Sequence, residues 1–392
     1  MSHVCLENVL VKRLVAISDF FSPTCGDLKV ISDRHDLVLP FQGKSAVMGG
    51  YLERLPLAAL AAGEFDSVEV WSFTGRAGTS DSATGRWTGS ADPKYPGLTR
   101  RVFQVDRESI PYCSTDAVEH LSHTPAPDIM CVWGLGVDEA ILDAAGDAVC
   151  IYNSIDAPPL RIPDHVAQRF DLFLSGAEWQ SDDIRARIPG ARVLVLPIGP
   201  EFASDEMFYP TGAVKVRDIV YVACAQSYKR HDVLFDALER PPGTKALLVI
   251  GYGHLRDEFE REVAERGLDV EIIGPPGVSH AEVNRLINRA RVGVVCGRDD
   301  GAPAILTEYQ LADLPVLANA ELSCRLQFIT PETGLVAAPG SDFANAMGFL
   351  IDHAEDYDPR PVAIERWGWR TSIAKLLSEI DDLRSGRAGV SR

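Results

Sequence analysis

The stretch Val292-Gly-Val-Val-Cys-Gly-Arg-Asp-Asp-Gly-Ala-Pro-Ala-Ile-Leu-Thr-Glu-Tyr-Gln-Leu-Ala-Asp-Leu-Pro-Val-Leu-Ala-Asn319 decides how this chain is read. It opens with an apolar run, Val292–Cys296, that reads as a buried strand. An acidic glycine turn follows, then a helix, then a second apolar strand, Val316–Ala318, entered through Pro315. Asp300 and Glu308 flank the turn and the first helical turns. Such a turn leaves backbone N–H groups without intrahelical partners at a helix start, where phosphate is favoured. A carboxylate further along the helix can accept hydrogen bonds from a ribose diol. Strand, phosphate turn and acid together fit a sugar-nucleotide site.

The same rhythm extends to both sides. After residues 197–212, dense in Pro, Gly and acids, strand-like and helix-like segments alternate: Asp218–Ala223, His231–Leu238, Ala246–Gly251, His254–Arg266, Val270–Ile273 and His280–Arg291. Before that stretch, Val11–Ser18, Ser67–Phe73, Asp128–Trp133, Ala148–Tyr152, Phe170–Leu174 and Val193–Leu196 read as strands, with helices over Tyr51–Ala62 and Asp138–Ala145. Residues 75–99, rich in Gly, Ser, Thr and Asp without apolar periodicity, read as a long surface excursion. This alternation implies an α/β protein with parallel sheets covered by helices on both faces. Two such domains leave a cleft outside the carboxyl ends of their strands, where ligands of open α/β sheets bind. The boundary falls near residue 200, giving domains over 1–200 and 201–365. Glu365 to Arg384, with Trp367 and Trp369, reads as an amphipathic helical tail in a third segment, 366–392.

Bulk properties bound the function. A chain of 392 residues exceeds one ordinary core and matches two domains. Its 46% apolar and 24% charged composition is that of a globular protein. No transmembrane helix is expected, since no apolar run is long enough. The amino terminus lacks a basic region followed by an apolar one, and the eight cysteines form no CxxC pair. A reduced, cytoplasmic protein is the expectation. The net charge is −18, and residues 1–210 hold 17 basic against 29 acidic residues, so both halves are acidic. That disfavours nucleic acid and anionic bilayers as partners, which demand basic footprints.

In order and spacing, the C-terminal half resembles the retaining nucleotide-sugar glycosyltransferases of glycosyltransferase family 4. The likeness runs through Ile219–Lys229, Val249-Ile-Gly-Tyr-Gly253, Glu271-Ile-Ile-Gly274, Asp300 through Glu308, and Pro315-Val316. The amino-terminal half is similar more loosely. There the matching parts are Gly49-Gly50 before a helix, Leu196-Pro197-Ile198-Gly199 through Phe208-Tyr209-Pro210, and the tryptophan-containing last helix. The resemblance implies the GT-B architecture: two Rossmann-like domains facing a cleft, acceptor in the first, donor in the second, and the last helix crossing back to the first.

For the site, the resemblance implies that Glu308 binds both ribose hydroxyls of the donor nucleotide. An ionised carboxylate accepts two O–H bonds, each worth about 1.5–3 kcal/mol. Asp300 stands where the family carries its first glutamate, near the donor sugar; an Asx turn or N-cap role suits it equally. Gly301 and the amides of Ala304 and Ile305 are expected at the diphosphate. Lys229, with Arg230 beside it, is the cation expected to stabilise the leaving diphosphate. Where the family often has an arginine a few residues earlier, this chain has Cys224-Ala225-Gln226-Ser227, so Gln226 offers a neutral donor. Gly251 and Gly274 belong to the same donor-binding loops. Gly49 and Gly50 either let backbone approach donor phosphate or acceptor, as the resemblance implies, or form an ordinary loop turn before a helix. Asn153-Ser154-Ile155-Asp156 follows a strand where the family carries a histidine–aspartate pair; Asp156 matches the aspartate and Ile155 replaces the histidine. Asn153 and Asp156 are either acceptor or sugar contacts, or turn residues. Asp300, Lys229 and Asp156 are the candidate catalytic side chains.

Other patterns carry less. Gly251-x-Gly253 is not a dinucleotide fingerprint, since Arg256 takes the third glycine's place. His120-Leu-Ser-His123 has metal-like spacing without a third ligand, and Asp356-Tyr-Asp358 lies away from the nucleotide turn. No metal or other cofactor is therefore expected. The implied reaction moves a sugar, of hexose type, from an NDP-sugar to a hydroxyl of a soluble acceptor with retained configuration. A non-catalytic sugar-nucleotide-binding homologue and a GT-B-type epimerase are the alternatives, motivated by Asp300, Gln226 and the missing histidine.

Overall fold

Strands covered on both faces must be apolar on both, and runs such as Ile129–Trp133 and Val149–Asn153 are buried at every position. The computed structural model describes residues 12–22, 38–41, 44–47, 54–74, 87–91, 96–107, 109–154, 158–196, 204–240, 243–298, 304–323 and 326–390. Its first half contains β1 (Arg13–Ser22), β2 (Val38–Phe41), β3 (Lys44–Val47), α1 (Arg54–Ala61), β4 (Ser67–Thr74), β5 (Trp87–Ala91), β6 (Leu98–Gln104) and α2 (Thr115–His123). There follow β7 (Ile129–Trp133), α3 (Glu139–Ala144), β8 (Val149–Asn153), α4 (Asp164–Ala167), β9 (Leu172–Ser175), α5 (Glu178–Arg187) and β10 (Val193–Val195). Eight of these strands form one sheet, ordered β10-β9-β8-β7-β1-β4-β6-β5, and β2 pairs with β3 separately. Within the large sheet only β5 runs antiparallel, with Trp87 opposite Phe103 and Ala91 opposite Thr99. The stretch expected as a surface excursion thus holds an edge strand and the start of β6. Gly89 and Ser90 read as loop residues, yet an edge strand asks only for backbone partners on one side.

The second half contains β11 (Arg217–Val222), α6 (His231–Leu238), β12 (Lys245–Val249), α7 (Arg256–Arg266), β13 (Asp269–Ile273), α8 (His280–Ile287) and β14 (Ala290–Val295). It continues with α9 (Ile305–Leu311), β15 (Val316–Asn319), β16 (Gly334–Ala337), α10 (Ser341–Asp352), α11 (Pro359–Trp367) and α12 (Trp369–Val390). The sheet order is β13-β12-β11-β14-β15-β16, all parallel. Because β14 lands beside β11 rather than β13, the strand order reverses there, and the crevice outside the carboxyl ends of β11 and β14 is the expected ligand position. Helix α8 stops at Ile287, short of the expected Arg291, because the Asn288 amide turns back on the Asn284 carbonyl at 2.8 Å and caps it.

The tail is two helices rather than one. Helix α11 packs on the second domain through Ala363, whereas Ile373, Leu376 and Ile380 of α12 join Leu14, Val68 and α1 in the core of the first. Arg384 fastens α12 further, 3.1 Å from Asp128. The linker leaving the first domain is tied to the second: Tyr209 N and Thr211 N donate to Asn284 and Asn288 at 3.1 and 2.8 Å. Arg360 of α11 donates to the carbonyls of Asp205 and Phe208, at 3.1 and 2.9 Å, and to that of Leu311. Among the described residues, no helix is long and apolar enough to cross a membrane.

Candidate functional site

Helix α9 is buried along its whole length, and Glu308 is only 7% exposed. Its orientation is fixed from β11. The Tyr309 hydroxyl accepts from Val222 N at 2.8 Å and donates to Val220 O at 3.3 Å. Gly293 in β14 makes room for this staple, since a Cβ there would overlap the Tyr309 ring. Gln310 donates to the Phe328 carbonyl at 2.8 Å from the other side. Ala304 is the N-cap of α9 and Ile305 its first residue, where amides lack intrahelical acceptors. Asp300, Gly301, Pro303, Asp156, Gly49 and Gly50 lie outside the described residues.

The loop after β11 follows the strand to which α9 is stapled. Gln226, half-buried, precedes a single 3-10 turn, Ser227–Lys229. The Tyr221 hydroxyl donates to the Lys229 carbonyl at 2.7 Å, which sets the lysine at the carboxyl end of β11. The loop after β12 braces this one, backbone against backbone, and is braced in turn by the loop after β13. Ala225 N donates to Tyr252 O at 2.7 Å, and Leu255 N donates to Ala225 O at 3.3 Å. Gly253 (φ +123°) admits that approach, because a Cβ there would overlap Ala225. Gly274 (φ +83°) does the same against the Ile250 carbonyl. Gly251 touches Gly277, whose added Cβ would stand 3.1 Å from the Gly251 Cα. The glycines of these loops therefore weld three strand ends into one rigid platform.

Arg230, expected at the donor, is engaged elsewhere. Its guanidinium takes three hydrogen bonds to Asp232, at 2.9–3.1 Å, and stands 3.6 Å from Glu321. Next to it His231 is 2% exposed and stacks on Phe259 at 4.3 Å. Burial, and then the Lys229 charge, push its pKa down to about 4, so the ring is neutral. Arg298, at the exit of β14, is a cation the sequence did not single out. Its backbone N donates to Tyr228 O at 3.0 Å, one residue before Lys229.

On the first domain, Asn153 ends β8, opposite Trp133 of β7. It is fully buried, and neither amide atom has a hydrogen-bond partner among the described residues. Gln327 of the second domain reaches across to donate to the Gly176 carbonyl at 2.9 Å. The His120/His123 pair does not make a metal centre. His120 is buried 3.6 Å from Glu69, near the amino-terminal ends of the strands, and His123 bonds the Glu119 carbonyl. Burial would raise the Glu69 carboxyl, but hydrogen bonds from His120 and Arg101, the Arg13 charge and Trp71 outweigh it and hold the pKa far below the usual range. No cluster of His, Cys, Asp and Glu suited to a metal occurs among the described residues.

With this geometry in place, comparison with known proteins is specific. Residues 206–359 match the family model described as glycosyl transferases group 1. A comparison with curated proteins gives no match. Sucrose-phosphate synthase from Thermosynechococcus elongatus superposes with a TM-score of 0.65 at 16% identity, covering 96% of this chain and 100% of that one. The Anabaena protein HepE, solved with UDP and glucose, gives 0.62 at 14% identity, covering 94% and 100%. A glycosyltransferase involved in avilamycin A biosynthesis gives 0.60 at 16% identity, covering 96% and 98%. The chain thus has the GT-B fold, two parallel-sheet α/β domains facing one cleft.

Proposed function

We propose that this protein is a retaining glycosyltransferase of the family 4 type that transfers a hexose from an NDP-sugar to a hydroxyl of a soluble acceptor. The observation that carries the reading is Glu308, a buried carboxylate stapled through Tyr309 to the same strand that ends in the Gln226–Lys229 loop. The helix that carries Glu308 and the Lys229 loop are both tied to β11, beside the switch point of the second sheet, inside the stretch that matches the family model, which supports a ribose acid and a diphosphate cation there. Glu308 accepts from the ribose hydroxyls. Lys229 and the amides of Ala304 and Ile305 receive the diphosphate, and Gln226 adds a neutral donor. Asp300 contacts the donor sugar. Asn153 and Asp156 hold the acceptor or the sugar from the first domain, and the desolvated, unpartnered Asn153 amide supports this, since such a group costs free energy until a ligand satisfies it.

In this reading the acceptor oxygen attacks the anomeric carbon on the face the diphosphate leaves. The sugar–phosphate C–O bond breaks, a new C–O bond forms, and the acceptor proton passes to the departing phosphate oxygen. Positioning and charge supply the catalysis, so neither a side-chain base nor a metal is required. The acidic first domain supports a small-molecule or oligosaccharide acceptor over an anionic lipid surface, and the cysteine pattern supports the cytoplasm. The test is a thermal-shift screen against UDP-, GDP-, ADP- and dTDP-sugars, followed by transfer assays with the stabilising donor. A ligand at a hundred times its Kd stabilises by about 2.7 kcal/mol. No shift with any of the four would overturn the reading.

A further inference from the structure

We infer that Arg298 is a second diphosphate-binding cation of this site, held in readiness by Glu321. The inference rests on the donor reading above and assigns a residue which that reading leaves without a role. A diphosphate calls for more than one cation, yet Arg230 is bound on three hydrogen bonds to Asp232 and Gln226 carries no charge. Arg298 leaves β14 beside the Lys229 loop, its backbone bonded to Tyr228, and has the needed properties. Its side chain is 60% exposed, and its nearest carboxylate among the described residues, on Glu321, stands at 4.0 Å, too far for a hydrogen bond.

Its backbone, by contrast, is held from both sides. Arg298 N donates to Tyr228 O at 3.0 Å, and Arg298 O accepts from Ser323 N at 2.9 Å. The turn that carries Glu321 is tied to the same strand end. The Asn319 side chain donates to Cys296 O at 2.8 Å and accepts from Glu321 N at 2.9 Å. A fixed Cα with an exposed guanidinium is suited to bidentate capture of a phosphate. Glu321 faces both Arg230, at 3.6 Å, and Arg298, at 4.0 Å. In the empty site it balances their charge; when a diphosphate arrives, it competes with that anion for Arg298.

This predicts effects of opposite sign at neighbouring residues. Calorimetry with UDP, GDP, ADP and dTDP on the full chain identifies the nucleoside diphosphate that binds, and its nucleoside serves as the control. Arg298→Ala should weaken the diphosphate about tenfold or more, the scale of one charged hydrogen bond, and leave the nucleoside unchanged. Arg298→Lys should restore part of the loss, and Glu321→Gln should tighten the diphosphate by a few-fold. A merely structural pair would weaken binding in both variants and lower both melting temperatures. If no nucleoside diphosphate binds the wild type, the donor reading itself falls. If one binds, and Arg298→Ala leaves its affinity unchanged or Glu321→Gln weakens it, the assignment of Arg298 falls alone.

Discussion

Replacing Glu308 by glutamine tests the ribose contact with the fold held constant, because the two side chains are nearly isosteric. Glutamine keeps one carbonyl acceptor, loses the charge, and presents an NH2 donor where the second carboxylate oxygen stood. A charged hydrogen bond contributes about 1.5–3 kcal/mol. Glu308 is 7% exposed, so the local dielectric is low and the upper part of that range applies. The expected loss is about 2–3 kcal/mol, or roughly 30- to 150-fold in Kd. The assay is calorimetric binding of the preferred nucleoside diphosphate and of its 2′,3′-dideoxy analogue to both proteins. The wild type should prefer the natural nucleotide by about that factor, and Glu308→Gln should prefer it hardly at all. The dideoxy compound should bind the two proteins within a few-fold. Equal weakening of both nucleotides would show that Glu308 supports the helix rather than the diol, and the site assignment would fail with it.

Lys229→Ala should cut turnover at least roughly 100-fold, the scale of one lost electrostatic donor, measured as initial rates at saturating donor. His231→Phe should flatten the pH dependence of stability. The folded pKa of about 4 lies below the unfolded 6.5, so between those values only the unfolded chain gains a proton and stability falls with pH. Urea titrations at pH 7.5 and 5.0 should show the variant losing about 2 kcal/mol less than the wild type over that interval. Gly293→Ala should cost about 1–3 kcal/mol by overpacking the Tyr309 ring, read as a drop in the urea midpoint; an unchanged midpoint would show that the ring can move aside.

What the sequence made legible follows from strand chemistry. Segments such as Ile129–Trp133 and Ala246–Val249 are buried throughout, so their apolar runs announced parallel strands without help from long-range contacts. The strand–helix–strand order around Glu308 was legible for a related reason: those elements follow one another directly in the chain. The edge strand Trp87–Ala91 was not, because its pairing with Leu98–Gln104 uses backbone groups that composition does not encode. Nor did the sequence show that Arg230 is paired with carboxylates. That pairing depends on Asp232 lying two residues on and on Glu321 coming from a distant turn. Arg298 was hidden in the same way, since its nearness to Tyr228 is created by the β11–β14 pairing.

The distribution of hydrogen bonds divides the molecule into two bodies that do not coincide with the two halves of the chain. Asn284, Asn288 and Arg360 bind the linker from Asp205 to Thr211 into the second domain, whereas α12 belongs to the core of the first. The chain therefore passes between the bodies after Leu196 and again at Gly368. Contacts spanning the divide include the Arg370 pairs with Asp205 and Glu206, at 3.1 and 3.0 Å, and the single Gln327 bond to Gly176. Exposed ion pairs of this kind contribute about 0–1 kcal/mol each, far less than the apolar cores on either side of them. Weak bonding between bodies and strong bonding within them is what a closing cleft requires. Glu308, Lys229 and Arg298 ride on one body, and Asn153 on the other. Under the proposed function, donor capture needs only the second body, whereas alignment of acceptor oxygen with anomeric carbon needs both, so binding energy from the nucleotide can be directed to the geometry of transfer.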